Sequence, residues 1–424
     1  MLRRVAASLA VAGLLLMAPC VALGAQQGAV LLGMNYPLTG PYSVEGLDQI
    51  RAARMAVDEI NALGGIMGRR VRLVVRDSFS DVVTSRMNVE DLIDQGCRMI
   101  FGGSSSDVAI AVSEICQRRK VLFFGTLTYA TQTTLENGHR YTFRECNDSW
   151  MSAKVMAEWL NVRYKGKKFF YITADYSWGW ATEQSLRVVT GTQDRSVYPG
   201  LLTPLGATDF RPALAVVKEH RPDVLVLCLF GKDMAYALQQ ATAMGLKRYS
   251  RIVVPNITLG MAERAGLDAM EGVVGTVPWT WKVPYVYDYP RGRAFVEAFA
   301  QRFRRYPSTS GASAYTIVYE FKAAVERAGS FAPADLVRAL EGHDYMLLKD
   351  RQTWRALDHQ SVQTVYLVQG ADKLTVLSTP LRLDYFSIIG RKSGEDIVRT
   401  PEEWRQLRRE AGLPPNLEDV ETDP

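Results

Sequence analysis

From about residue 29 to residue 255 the chain alternates between two hydrophobic patterns. Short apolar runs bounded by Gly, Pro or Asp predict strands, and each is followed by a stretch whose apolar residues recur every three or four positions, the spacing of one helix face. The first pair sets the plan. Residues 29–34 predict a strand, a loop holding Pro37, Gly40, Pro41 and Gly46 breaks it, and Leu47, Ile50, Ala53, Val57 and Ile60 then share a helix face. The run from Asn61 to Gly65 stops that helix, because glycine accepts the left-handed conformation that closes a C-terminus.

The same reading predicts strands over 71–77, 98–102, 121–124 and 141–144, with helices over 83–95 and 107–118 among them. A second set follows, with helices over 152–164, 181–190, 210–220 and 233–244 and strands over 168–174, 196–203, 224–230 and 252–255. Strands alternating with helices of this length argue for an α/β fold with parallel sheets covered on both faces. The second half repeats the plan of the first, so two similar lobes are expected. Residues 277–292, rich in proline and aromatics, read as a crossing between them. Helical stretches over 294–306 and 314–328 bring no strand of their own. Residues 358–360 with 362–369 read as a last crossing and a final strand, and a short charged helix is expected from Pro401, with a mobile acidic end.

Composition changes this picture little. A chain of 424 residues predicts two domains. The net charge of +5 falls to +3 once Arg3 and Arg4 leave with the leader, too mild a balance to imply nucleic acid. Residues 1–25 set the expected compartment: the two arginines precede an apolar segment, and Ala22, Gly24 and Ala25 offer cleavage positions, the pattern of a secretory signal peptide. A membrane anchor is the alternative, but the run falls short of the roughly 20 residues a span needs. Cys20 raises a lipoprotein alternative, against which Pro19 stands where lipid attachment wants a small residue.

Four cysteines remain beyond the leader, in a compartment where a disulfide persists. Cys97 begins one predicted strand and Cys116 ends the helix that runs back after it, so the two either pair or stay as buried thiols. Cys228, inside an apolar strand, reads as core.

Several of these residues carry a resemblance. Pro37-Leu-Thr-Gly-Pro41, Gly46, Ala56-Val-Asp-Glu-Ile-Asn61 and Gly64-Gly-Ile-Met-Gly68-Arg69, followed by the strand at 71–77, resemble the extracytoplasmic solute-binding proteins of ABC importers for branched-chain amino acids, amides and urea. The resemblance implies the type I periplasmic binding fold, two Rossmann-like lobes joined by a three-strand hinge. It also implies lobes discontinuous in sequence, 28–146 with 280–357 and 147–279 with 358–391, leaving 392–424 as an extension past the usual end. A monomer is expected, with a small-molecule ligand and ABC permease subunits as partners, in the periplasm.

Ligands of open parallel sheets bind beyond the carboxyl ends of the strands. There, Gly102-Gly-Ser104-Ser105-Ser106 leads into a helix whose free N–H groups and dipole suit a carboxylate, with an ordinary serine N-cap as the alternative. The resemblance favours the ligand role. It also implies contacts at Leu127 and Tyr129, although Tyr129 departs from the usual small hydroxyl, at Trp178 in the 175–179 loop, where a surface turn is the alternative, and at Phe230. Trp279 and Trp281 wall the cleft or pack within the hinge.

One departure stands out: Asn256 occupies the place where amino-acid binders of this family hold the ligand ammonium with an acidic residue, while Glu45 stands where they place an aromatic. Either Glu45 meets a cationic group of the ligand from the other lobe, or it lies solvated at the cleft rim and the ligand has no ammonium at all.

Enzyme classes find little support. Gly64-Gly-Ile-Met-Gly68 follows a helix, so it is no dinucleotide loop; no phosphate-binding loop or Gly-x-Ser-x-Gly elbow occurs. His139, His220, His343 and His359 are too scattered for a metal motif, and His359 reads as a residue of the crossing rather than a base. No cofactor, metal or catalytic residue is expected. The expected function is solute capture for import by hinge closure. A periplasmic sensory module is the rival, and an esterase or amidase a third reading without a visible nucleophile.

Overall fold

The computed structural model describes residues 28–420. The expected signal peptide, with Cys20, lies outside the described residues. Among those described, no helix is long and apolar enough to cross a membrane.

Two sheets organise the chain. The first holds β1 (Val30–Tyr36), β2 (Val71–Asp77), β3 (Met99–Gly103), β4 (Leu122–Leu127) and β5 (Thr142–Arg144), all parallel, in the order β2-β1-β3-β4-β5. Their central strands are buried along their length because helices cover both faces, which is why they read as unbroken apolar runs. The opening unit forms as its pattern predicts, with the helix Ser43–Ala62 after β1. Gly46 lets that helix start directly against the strand end: a Cβ there would lie 1.9 Å from the Pro37 carbonyl oxygen.

After the helix Ser149–Tyr164 the second sheet collects β6 (Phe169–Ala174), β7 (Gly200–Thr203), β8 (Val224–Cys228), β9 (Arg251–Val254) and β10 (Val274–Val277). A ribbon of three short antiparallel strands follows, β11 (Asp344–Tyr345), β12 (Gln352–Trp354) and β13 (Ser361–Val362). β14 (Val365–Gly370) and β15 (Phe386–Lys392) then join the second sheet antiparallel, giving the order β15-β14-β10-β9-β8-β6-β7. This is the type I periplasmic binding fold, two Rossmann-like lobes with a hinge between them. The chain passes between the sheets after β5, after β10 and before β14.

The helices Pro290–Phe303 and Thr309–Ala328 return to the first lobe, where the second packs along Ser43–Ala62 and Arg302 pairs with Asp58 at 2.8 Å. The strand expected over 196–203 begins only at Gly200, because the turn at 195–199 is tied by Asp194 to Ser196. The helix expected from 181 begins at Ser177. β10, β15 and the ribbon carry no apolar run long enough to announce themselves.

Cys97 and Cys116 share one apolar cluster as free, buried thiols, so of the two alternatives the unpaired one holds; Cys146 and Cys228 are likewise free and buried. The expectation of a mobile acidic end is corrected through residue 420: Leu417 is buried, and Glu418 accepts from the Arg140 backbone N–H at 3.2 Å. The charged helix forms over Pro401–Glu410.

Candidate functional site

In each sheet the chain reverses its winding direction once, between β1 and β3 and between β6 and β8, and ligand crevices of such sheets open beyond the carboxyl ends of those strands. Here the two crevices face each other and their loops touch.

Aromatic rings make most of that contact. Phe230, in the loop after β8, has its ring centroid 5.5 Å from that of Tyr42, 5.8 Å from Tyr129 and 5.7 Å from Trp178. Tyr176 extends the cluster, 6.4 Å from Tyr42 and 6.0 Å from Trp178. Tyr42 and Tyr129 belong to the first lobe and the other three to the second, so the cluster spans the cleft. All five rings are buried. Trp178 lies in the first turn of the helix Ser177–Thr190, 2 % exposed, rather than on a surface turn. Gly231 makes the approach possible: its φ is +62°, and a Cβ there would meet the Tyr42 ring at 2.8 Å and the Pro41 carbonyl oxygen at 3.0 Å.

In the serine loop the N-cap alternative is present. Ser105 is the N-cap of the helix Ser106–Arg119, its Oγ accepting from the Val108 N–H at 3.2 Å, and Ser106 Oγ accepts from the Ala130 N–H at 3.0 Å. Ser104 Oγ is buried without a protein partner. The same is true of Ser177 Oγ, Trp178 Nε1 and Asn256 Nδ2 and of the acceptor Asn147 Oδ1, among other buried polar atoms of the described residues. Asn256 Oδ1 is occupied by Ser152 Oγ at 2.6 Å. Leu127 closes β4 and is buried beside this loop.

Glu45 is fully buried, which excludes the solvated rim. Its carboxylate accepts from Thr258 Oγ1 of the second lobe and from Ser310 Oγ at 3.0 Å. Burial pushes its pKa up to about 7; the Thr258 hydrogen bond opposes the shift, nearby Asp48 adds to it, and Ser310 and Arg305 oppose it. A second bridge lies alongside, with Arg305 of the first lobe contacting Asp48 at 3.1 Å and Glu263 of the second lobe at 2.7 Å.

Trp279 packs against Phe295 at 6.0 Å and lines a small hinge cavity of about 10 Å³ together with Glu145, Ser313, Lys349, Gln352 and Gln363. Burial raises the Glu145 pKa, and it lowers that of Lys349 to about 8. Lys349 Nζ is nonetheless held by the Pro278 carbonyl and Gln363 Oε1, both at 2.7 Å. Trp281 stacks on Tyr306 at 3.9 Å, away from the cluster around Phe230.

The sequence reading did not single out Tyr42, Tyr176, Thr258 or Ser310. Tyr42 and Tyr176 do sit in the strand-to-helix loops that face the cleft, which was the available signal. No group of three or more His, Cys, Asp or Glu side chains suited to a metal ion is found among the described residues.

A family model described as periplasmic binding protein matches residues 29–374. The leucine-, isoleucine-, valine-, threonine- and alanine-binding protein of Pseudomonas aeruginosa is 24% identical over 320 residues, covering 74% of this chain and 83% of that protein. Among solved structures, a periplasmic binding protein from Burkholderia mallei superposes with a TM-score of 0.80 at 22% identity, covering 88% of this chain and 97% of that one. A solute-binding protein of an ABC transporter from Rhodopseudomonas palustris, in complex with 3,4-dihydroxybenzoic acid, gives a TM-score of 0.75 at 17% identity, over 88% and 99% of the two chains.

Proposed function

The chain belongs to the periplasmic binding protein family, and from that premise we propose that it is the extracytoplasmic solute-binding component of an ABC importer. It captures a small carboxylate-bearing solute between its lobes by hinge closure and delivers it to the membrane permease; it catalyses no reaction. The carrying observation is the set of buried donors without protein partners on the cleft walls, Ser104 Oγ, Ser177 Oγ, Trp178 Nε1 and Asn256 Nδ2. A buried polar group left unpaired costs about 1–3 kcal/mol, so several at one seam are paired in the working complex. Hydroxyl and N–H donors suit a carboxylate, and Asn147 Oδ1 accepts from a hydroxyl or amine elsewhere on the solute.

The rings around Phe230 support a solute with a flat or branched apolar body, a class that includes both the branched amino acids named for the Pseudomonas relative and the aromatic acid in the Rhodopseudomonas complex. Calorimetry with L-leucine and 3,4-dihydroxybenzoate tests the reading. At least one binds with a Kd near 1 μM or tighter, a free energy of about −8 kcal/mol. The double variant Ser106→Ala, Tyr129→Ala weakens that binding at least tenfold while the melting temperature moves by only a few degrees. Unchanged affinity in the variant overturns the site.

A further inference from the structure

Residues 392–420 begin beyond the family match, which ends at residue 374. They leave β15 on the second lobe, where Lys392 pairs with Glu158 and Ile397 is buried in that lobe's cluster with Met156 and Val365. The Arg399 guanidinium lies 4.0 Å over the Trp150 ring, still on the second lobe. The segment then crosses. A capping box between Thr400 and Glu403 starts the helix Pro401–Glu410, and this helix docks on the first lobe.

Its footing there is specific. Trp404, 1 % exposed, packs with Leu135 and Leu417 and donates from Nε1 to the Thr134 carbonyl at 3.0 Å. Arg408 Nη1 donates to the Leu135 carbonyl. Thr134 and Leu135 lie in the same loop as Tyr129, between β4 and β5. From the other side Arg144, 1 % exposed, donates to the Ala130 carbonyl and, at 2.6 Å, to Thr134 Oγ1. The Tyr129 carbonyl accepts from Ser149 N–H and Ser149 Oγ, both at 2.7 Å. The part of the loop around its one short turn of regular structure, Thr131–Thr134, is thus held from both sides over residues 129–135.

Such a segment belongs to the low-stability end of a fold unless its backbone is tied down, and a binding loop ordered in advance spares the ligand the entropy of ordering it. We propose that residues 393–420 form a fourth tie between the lobes that holds the Tyr129 loop in its ligand-facing shape, with Trp404 as the positioning residue. The proposal rests on the reading that the interlobe cleft binds the solute.

The test uses the full chain carrying Trp404→Ala and, separately, Trp404→Phe. Amide hydrogen exchange follows the N–H groups of Thr133, Leu135 and Asn137, which are bonded to Ala130 and Gln132 carbonyls within the loop. Trp404→Ala speeds their exchange at least tenfold and leaves the 103–108 segment unchanged, Kd for 3,4-dihydroxybenzoate or L-leucine rises about tenfold, and Trp404→Phe recovers part of both. Unchanged loop exchange overturns the proposal, as does faster loop exchange with unaltered Kd. Faster exchange throughout the protein also overturns it, since Trp404 would then be a general stabiliser. If the wild type binds neither probe, the binding reading falls, and loop exchange alone decides whether the tie exists.

Discussion

The lobes meet along two seams built on opposite principles. One is the ring cluster centred on Phe230, closed by apolar contact and by the absence of a side chain at Gly231. The other is polar, with Glu45 accepting from Thr258 and the bridge Asp48–Arg305–Glu263 beside it. The apolar seam depends on shape and is indifferent to pH; the polar seam depends on protonation and salt. Gly231→Val breaks the first outright. It forces a β-branched residue to a φ of +62° and places its Cβ 2.8 Å from the Tyr42 ring and 3.0 Å from the Pro41 carbonyl oxygen, so the lobes cannot close without moving that loop. Solute affinity falls at least a hundredfold in calorimetry, about 2.7 kcal/mol, and small-angle scattering shows a larger radius of gyration with solute present than for the wild type. An unchanged radius would show that Tyr42 is not a closure contact.

The polar seam gives a smaller effect with a definite sign. When the lobes part, Thr258 leaves Glu45 and water replaces it, returning the carboxyl toward its usual 4.5, whereas burial in the closed form holds it at about 7. A carboxyl whose pKa is raised on closure favours the closed form when protonated. The advantage is complete below about pH 4.5 and lost as pH rises through about 7. Solute therefore binds more tightly at pH 5.5 than at pH 8, by about tenfold, and binding near pH 6 takes up a fraction of a proton, read from calorimetry in buffers of different ionisation enthalpy. Glu45→Gln flattens the profile. A slope that persists in the variant assigns it elsewhere, Asp233 being a further carboxyl raised by burial, to about 6.

The two seams were unequally legible in the sequence. Strands such as Val224–Cys228 stand out because a chain buried on both faces must be apolar over several consecutive residues, and the repeat of strand and helix then sets the fold. Phe230 and Trp178 were reachable through the loops they occupy. Tyr42 lies in such a loop too, but its closure contact depends on a glycine in the other lobe, which no local pattern announces. Glu45 was recognised as unusual, yet its partner Thr258 lies beyond β9, and no local pattern announces a hydrogen bond between lobes. The helix around Trp404 was expected only as a short charged helix, because a single tryptophan and the buried Arg408 make most of its contact. β15 carries partly exposed positions along an edge, which dilutes its apolar signal.

The smallest effect separates the solute from the seams themselves. Ser104 Oγ makes no hydrogen bond to the Glu45 bridge or to any other protein group, whereas its neighbours Ser105 and Ser106 are bonded to backbone N–H groups. Ser104→Ala thus removes a hydroxyl that folding does not use, and the melting temperature of the solute-free protein stays within about a degree of the wild type or rises slightly, since an unpaired buried hydroxyl is lost. If the solute carboxylate takes this hydroxyl, Kd rises by about three- to tenfold, the range of one hydrogen bond worth about 0.5–1.5 kcal/mol. The same substitution then leaves the pH profile set by Glu45 intact, because the two groups act at different places in the cleft. A Kd that does not move places the carboxylate on the donors of the second lobe, Ser177 Oγ and Trp178 Nε1, and the matching loss then appears in Ser177→Ala.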